Sequence, residues 1–301
     1  MTEHEHHGEA RGIAYVASSY LIWGVTPLFW VLLDGISPLE LTLHRMVWCA
    51  LFGLAVTAGR GRLSRLVGVL RAPRLVGALA VSGVLITVNW TLFIYCVATR
   101  RLVDASLGYY ITPLVSIALG VVLLGEKISR IRLAAIGLAG VAVAIETLAL
   151  GRLPWPAFGL AVSFGFYGYV RKLTPVDSLD GLTVETVLFL PVTLAILAWW
   201  ALQGTGAFPS PALGRDALLI VTGPLTALPL AMFASGARRI RMTTLGFLQY
   251  ISPSITLLVA TLLMHEPFAR TSAIAFGLIW AALVLVSLEG RMPLLSRRVA
   301  E

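Results

Sequence analysis

The sequence predicts an all-α integral membrane protein of ten transmembrane helices, built as two inverted five-helix repeats. Three observations carry that expectation. Apolar runs of about 20 residues, enough to cross a hydrocarbon core of roughly 30 Å, follow one another almost from end to end. Of the 301 residues 58% are hydrophobic and only 13% charged, against roughly a quarter charged in soluble domains. The stretch 107–127, LGYYITPLVSIALGVVLLGEK, returns 140 residues later at 247–267 as FLQYISPSITLLVATLLMHEP. That offset aligns Tyr110 with Tyr250, Pro113 with Pro253 and Glu126 with Glu266, which marks a duplicated chain.

The expected spans, in order, are 13–33, 38–58, 75–98, 103–124, 131–149, 155–172, 182–202, 216–236, 243–264 and 270–288. They divide the chain into an N-terminal segment (1–12), a first repeat (13–150), a second repeat (151–290) and a tail (291–301). Residues 1–12 are mostly polar and lack the order of a cleavable signal, so helix one is retained. The histidines His4, His6 and His7 read as a solvated end rather than a metal site. With the N-terminus cytoplasmic, seventeen of the 23 Lys and Arg fall on inner segments and five on outer loops. This bias puts both termini in the cytoplasm. Bilayer-flanking basic residues also account for the net charge of +8, so no nucleic-acid partner is needed. Five spans per repeat make the second copy enter from the opposite side, a plan used by secondary transporters with a site near mid-bilayer.

Helix one carries Trp23, matched by Tyr167 in helix six at an offset of 144. Helix two opens with Pro38 and Glu40, suited to a helix start, and then carries His44 and Arg45. Arg45 lies about 10 Å inside its helix end, close enough to snorkel, so gate or substrate contact competes evenly with anchoring. Glu185 stands at the matching place in helix seven, and with His44 it is the nearest candidate for proton coupling. In helix three Asn89 sits beside Trp90, where an amide bonds a neighbouring helix or a ligand. Pro113 and Pro253 remove an intrahelical donor each, and the carbonyls freed at Tyr109 and Gln249 need partners away from lipid. A helix break at each proline is expected, with Trp23, Asn89, Trp90, Tyr110, Tyr167, Gln249 and Tyr250 as the substrate cavity.

Glu126 and Glu266, at helix ends, read as structural caps. Gly137, Gly140 and Ala144 in helix five, with Ala273, Gly277 and Ala281 in helix ten, form small-residue faces. They pack the halves together or form a homodimer seam, internal packing being the expected use. Cys49 and Cys96 have no metal or redox spacing and read as small core residues. There is no Walker sequence, no catalytic constellation and no metal-ligand cluster. An enzyme is not expected, and no cofactor, metal or catalytic residue is assigned.

The HR of helix two, the NW of helix three, ASLGYYITPLV, TLGFLQYISP and the FYGYVRK of helix six together resemble bacterial inner-membrane permeases of the EamA-like family of the drug/metabolite transporter superfamily. The resemblance covers nearly all of 13–288. It implies ten helices in two EamA-type repeats and a central cavity lined chiefly by helices one, three, four, six, eight and nine; it supplies no coupling residue. The expected function is a secondary-active permease that moves a small organic metabolite or drug across the bacterial cytoplasmic membrane by alternating access, with or without proton coupling. The rival is a membrane-embedded ligand-binding or sensory protein that does not transport.

Overall fold

The computed structural model describes residues 3–124, 130–151, 153–210, 213–237, 239 and 248–289. Its helices are α1 (Glu3–Val31), α2 (Pro38–Gly59), α3 (Leu63–Leu70), α4 (Pro73–Ala98), α5 (Leu102–Leu124), α6 (Arg130–Leu150), α7 (Trp155–Leu173), α8 (Ser178–Leu202), α9 (Leu213–Ala237), α10 (Ile251–Leu258) and α11 (Arg270–Glu289). α10 continues as a π-helical turn over Val259–Leu263. All but one of the expected spans coincide with a single helix; the exception, 243–264, is described only from Leu248. Among the described residues five segments are long and apolar enough to cross a membrane on length and composition: Ala10–Val31, Pro38–Gly59, Pro73–Ala98, Leu179–Leu202 and Leu213–Phe233. Leu133–Ala149 and Ile251–Leu263 are shorter apolar helices.

Packing between helices follows the repeat. α1 lies on α9 as α4 lies on α7, α1 meets α10 as α5 meets α7, and α2 meets α9 as α4 meets α8. α2 with α8, α5 with α10 and α6 with α11 pair across the repeat with their own counterparts. Exchange of the two five-helix sets thus maps the principal contacts onto one another, as an inverted repeat requires.

Connections gather at two ends of the bundle. At the first end Glu40 accepts a hydrogen bond from the Ala207 N–H (2.5 Å), and Glu266 accepts from the N–H groups of Leu102 (2.9 Å) and Val103 (3.1 Å). Glu266, in the second repeat, therefore caps the start of α5 in the first, satisfying donors that a helix leaves open. Burial pushes its carboxyl above the ordinary range, against the pull of those two N–H groups. Glu126 lies outside the described residues. At the second end Leu66, Leu79 and Val184 form a small core. Here the 59–74 connection, between the second and third expected spans, holds the short helix α3. It buries Leu66 and exposes Leu63, Val67 and Leu70 among Arg60, Arg62, Arg65 and Arg71, the pattern of a helix lying in a bilayer interface.

One expectation is corrected by the backbone. No break occurs at Pro113, because α5 is continuous from Leu102 to Leu124. At Pro253 the helical path is interrupted: Leu248 is helical, Gln249 and Tyr250 form a turn, and α10 starts at Ile251. Pro253 is thus the third residue of a new helix, in the first turn, where a backbone N–H has no intrahelical partner. Proline also sits inside α1 (Pro27), α8 (Pro191) and α9 (Pro224, Pro229). In α1 the Thr26 hydroxyl donates to the Trp23 carbonyl (2.7 Å), the acceptor that Pro27 leaves open.

The small-residue faces also differ from expectation. α6 and α11 pack through Ala135, Ala139 and Ala142 against Ala275, Ile279 and Ala282, all buried. Glu146 accepts from the Ser272 hydroxyl (2.9 Å) at the same seam. Gly137, Gly140, Ala144, Ala273, Gly277 and Ala281 lie on the exposed side. The alanine register, two residues away from the glycines, turns about 200° around the helix and so selects the opposite face.

Candidate functional site: a tryptophan-walled central cavity

Between the two helix sets lies a cavity of about 110 Å³. α1 supplies Tyr20, Trp23, Thr26 and Trp30 at helical spacing, and α4 supplies Ile86, Asn89, Trp90 and Phe93. α5, α7 and α9 add Tyr109, Phe164 and Leu230. The last wall is Gln249, Ser252, Pro253 and Thr256, in and just before α10. The lining is therefore mostly apolar and rich in aromatic rings, with a few polar groups, the make-up of a small-molecule site.

Arg45 of α2 lines the cavity and is only 7% exposed. Its guanidinium carbon lies 4.2 Å from the Trp90 ring centroid and 5.1 Å from that of Trp30, so two indole faces attract the cation. Its Nε donates to the Thr226 hydroxyl of α9 (2.7 Å). Asn89 is fully engaged. Its amide nitrogen donates to the Leu160 carbonyl and the Ser163 hydroxyl, both at 3.0 Å, and its carbonyl accepts from Tyr109 (3.2 Å). It fastens α4, α5 and α7 and leaves no free polar atom.

The EamA-like transporter family model matches the chain twice, over residues 10–147 and 155–288. A Streptomyces exfoliatus protein named Protein RarD is 42% identical over 281 residues, covering 93% of this chain and 89% of that one. The chain belongs to the EamA-like transporter family. An uncharacterized transporter of Vibrio cholerae is 40% identical over 281 residues, covering 93% of each chain. A solved crystal structure, 18% identical, matches with a TM-score of 0.60 over 97% of this chain and 100% of its own, which speaks for the fold alone.

In this EamA-like transporter the cavity is bordered by the six helices that family resemblance implies, and by helix two through Arg45. Of the seven expected cavity residues, Trp23, Asn89, Trp90 and Gln249 border it. Tyr110, Tyr167 and Tyr250 do not. Tyr110 is fully buried against Phe276; its hydroxyl meets that of Ser254 at 2.5 Å, and Tyr250 stacks on its ring (6.1 Å between centroids). Nearby, the Ser106 hydroxyl donates to the Pro253 carbonyl (2.7 Å). This clasp of α5 to α10 faces away from the cavity because adjacent helical positions are turned about 100° apart, and Tyr109 is the one that points inward.

His44 also lies off the cavity. It is buried against Phe208 (5.6 Å), and among the described residues its Nε2 has no hydrogen-bond partner. Glu185, 1% exposed, sits toward the second end. It accepts from Ser82 (2.6 Å) and from the Tyr167 hydroxyl (3.5 Å), and pairs with Arg171 (3.6 Å). A missed signal lay in helix one, where Tyr20, Trp23 and Trp30 recur at intervals of three and seven, one helical stripe.

Proposed function

We propose that this EamA-like transporter is a secondary-active permease that carries a small organic solute across the bacterial cytoplasmic membrane by alternating access. The observation that supports the reading most is the position of the aromatic cavity between two helix sets related by exchange, since rocking of one set against the other turns such a site from face to face. Ten crossings with both termini cytoplasmic fit the basic residues of the second end. A volume of about 110 Å³, below the roughly 300–1,000 Å³ of drug-sized pockets, favours a compact metabolite. Glu185 and His44 are the candidates for a proton step. The exposed small-residue face of α6 and α11 suits either lipid or a second copy of the chain.

The test is a thermal-shift screen of metabolites on the purified protein, followed by counterflow of any hit in proteoliposomes. Counterflow that is lost in both Trp90→Ala and Gln249→Ala is the expected result. Binding without counterflow would instead identify an embedded receptor. Indifference of uptake to an imposed pH gradient would remove obligatory proton coupling.

A further inference from the structure

We infer that the cavity recognises a small organic anion, an aromatic or branched monocarboxylate whose carboxylate pairs with Arg45. The inference rests on the permease reading and names the solute class for the same site. Arg45 is the sole charged group among the described lining residues, and among the described residues it forms no ion pair. Its one hydrogen bond uses Nε. The two terminal nitrogens, the half of the fork that grips a carboxylate edge-on, have no partner among the described residues.

A guanidinium so far from water normally keeps an anion beside it, because an unpaired buried charge is costly. The two indoles offset part of that cost, since an aromatic face attracts a desolvated cation. A bound carboxylate would supply the missing charge. The walls indicate what the carboxylate is attached to. Trp23, Trp90, Tyr109 and Phe164 offer aromatic faces, and neither an aspartate nor a glutamate borders the cavity among the described residues. An ammonium group would find no counter-charge there, which disfavours amino acids relative to the same acids without the amine. Gln249 and Ser252, whose side chains have no partner among the described residues, are placed to bond the second carboxylate oxygen or a ring substituent.

Phenylacetate, phenylacetamide, phenylalanine and sodium chloride are suitable probes, measured by calorimetry on the full chain in lipid nanodiscs. Phenylacetate should bind, with the isosteric amide about tenfold or more weaker, as expected for loss of a charge-assisted pair. Phenylalanine should be weaker than phenylacetate, and chloride should not compete at equal concentration. Arg45→Gln should lose phenylacetate binding. Arg45→Lys, which keeps the charge without the planar fork, should weaken binding yet keep the preference for acid over amide, and it serves where the glutamine variant fails to fold. Equal binding of acid and amide, undiminished binding in Arg45→Gln, a preference for phenylalanine, or no binding of phenylacetate would each overturn the inference. Radiolabelled counterflow separates this from the reading beneath it. Phenylacetate that binds through Arg45 but does not exchange sinks the permease, while exchange of neutral solutes alone sinks the anion site and spares the permease.

Discussion

Gly223→Ala should lower the unfolding midpoint of the purified protein by roughly 2–5 °C, the shift expected for a chain of this length when overpacking costs about 1–3 kcal/mol. A methyl group added at Gly223 would lie 2.8 Å from the Trp48 Cβ and closer still to the Trp48 backbone carbonyl. Backbone cannot rotate aside as a side-chain tip can, so α9 would have to move off α2. Thr226, one turn further along α9, holds Arg45, and separation would loosen that bond as well. Gly137→Ala and Gly277→Ala are the controls. A methyl at either meets nothing within 4 Å, and alanine is favoured over glycine in a helix by about 1 kcal/mol, so their midpoints should hold or rise. If all three variants melted alike, the close approach of α2 and α9 would be wrong.

Glu185→Leu should be the most damaging single change to the polar interior. Removing that carboxylate strands the charge of the Arg171 guanidinium, whose Nη1 already lacks a partner among the described residues, takes away the acceptor of Tyr167 and leaves Ser82 only the longer bond to the Leu79 carbonyl. Breaking one side of a buried pair costs about 3–5 kcal/mol. Replacing both sides with apolar residues is often neutral, so the double variant Glu185→Leu/Arg171→Leu should recover much of the stability lost by Glu185→Leu alone. Arg171 is tightly housed, since a methyl on Gly181 would overlap its guanidinium. A double variant that unfolds below the single one would show that the pair contributes more than mutual compensation. Thermal unfolding of the two variants side by side makes the comparison.

Much of this architecture was legible in the residues because lipid imposes simple rules. Span length and the 140-residue echo sufficed to place the helices and their duplication. Depth was legible too, which is why Trp23, Asn89, Trp90 and Gln249 were found at the level of the cavity. Rotation about the helix axis was not. Tyr109 and Tyr110 are equally aromatic and equally deep, and only packing against α10 and α11 decides which one turns inward. The same limit misplaced the glycines of α6, whose neighbouring alanines form the real seam. In a soluble helix a polar stripe would have fixed the rotation; here nearly every side is apolar. Arg45 was ambiguous for another reason. Its depth allowed snorkelling, and only the positions of Trp30 and Trp90, from two other helices, show that it is held inside.

The most direct test of alternating access is the reactivity of a single cysteine at Ser252, on the cavity wall, in a background lacking the buried Cys49 and Cys96. Membrane-impermeant maleimide would be applied from either face of sealed, oriented vesicles. Alternating access requires labelling from both faces, with the ratio shifted by a bound solute. Labelling from one face alone, under every solute condition, would contradict it and leave a binding protein that never turns its site across the membrane.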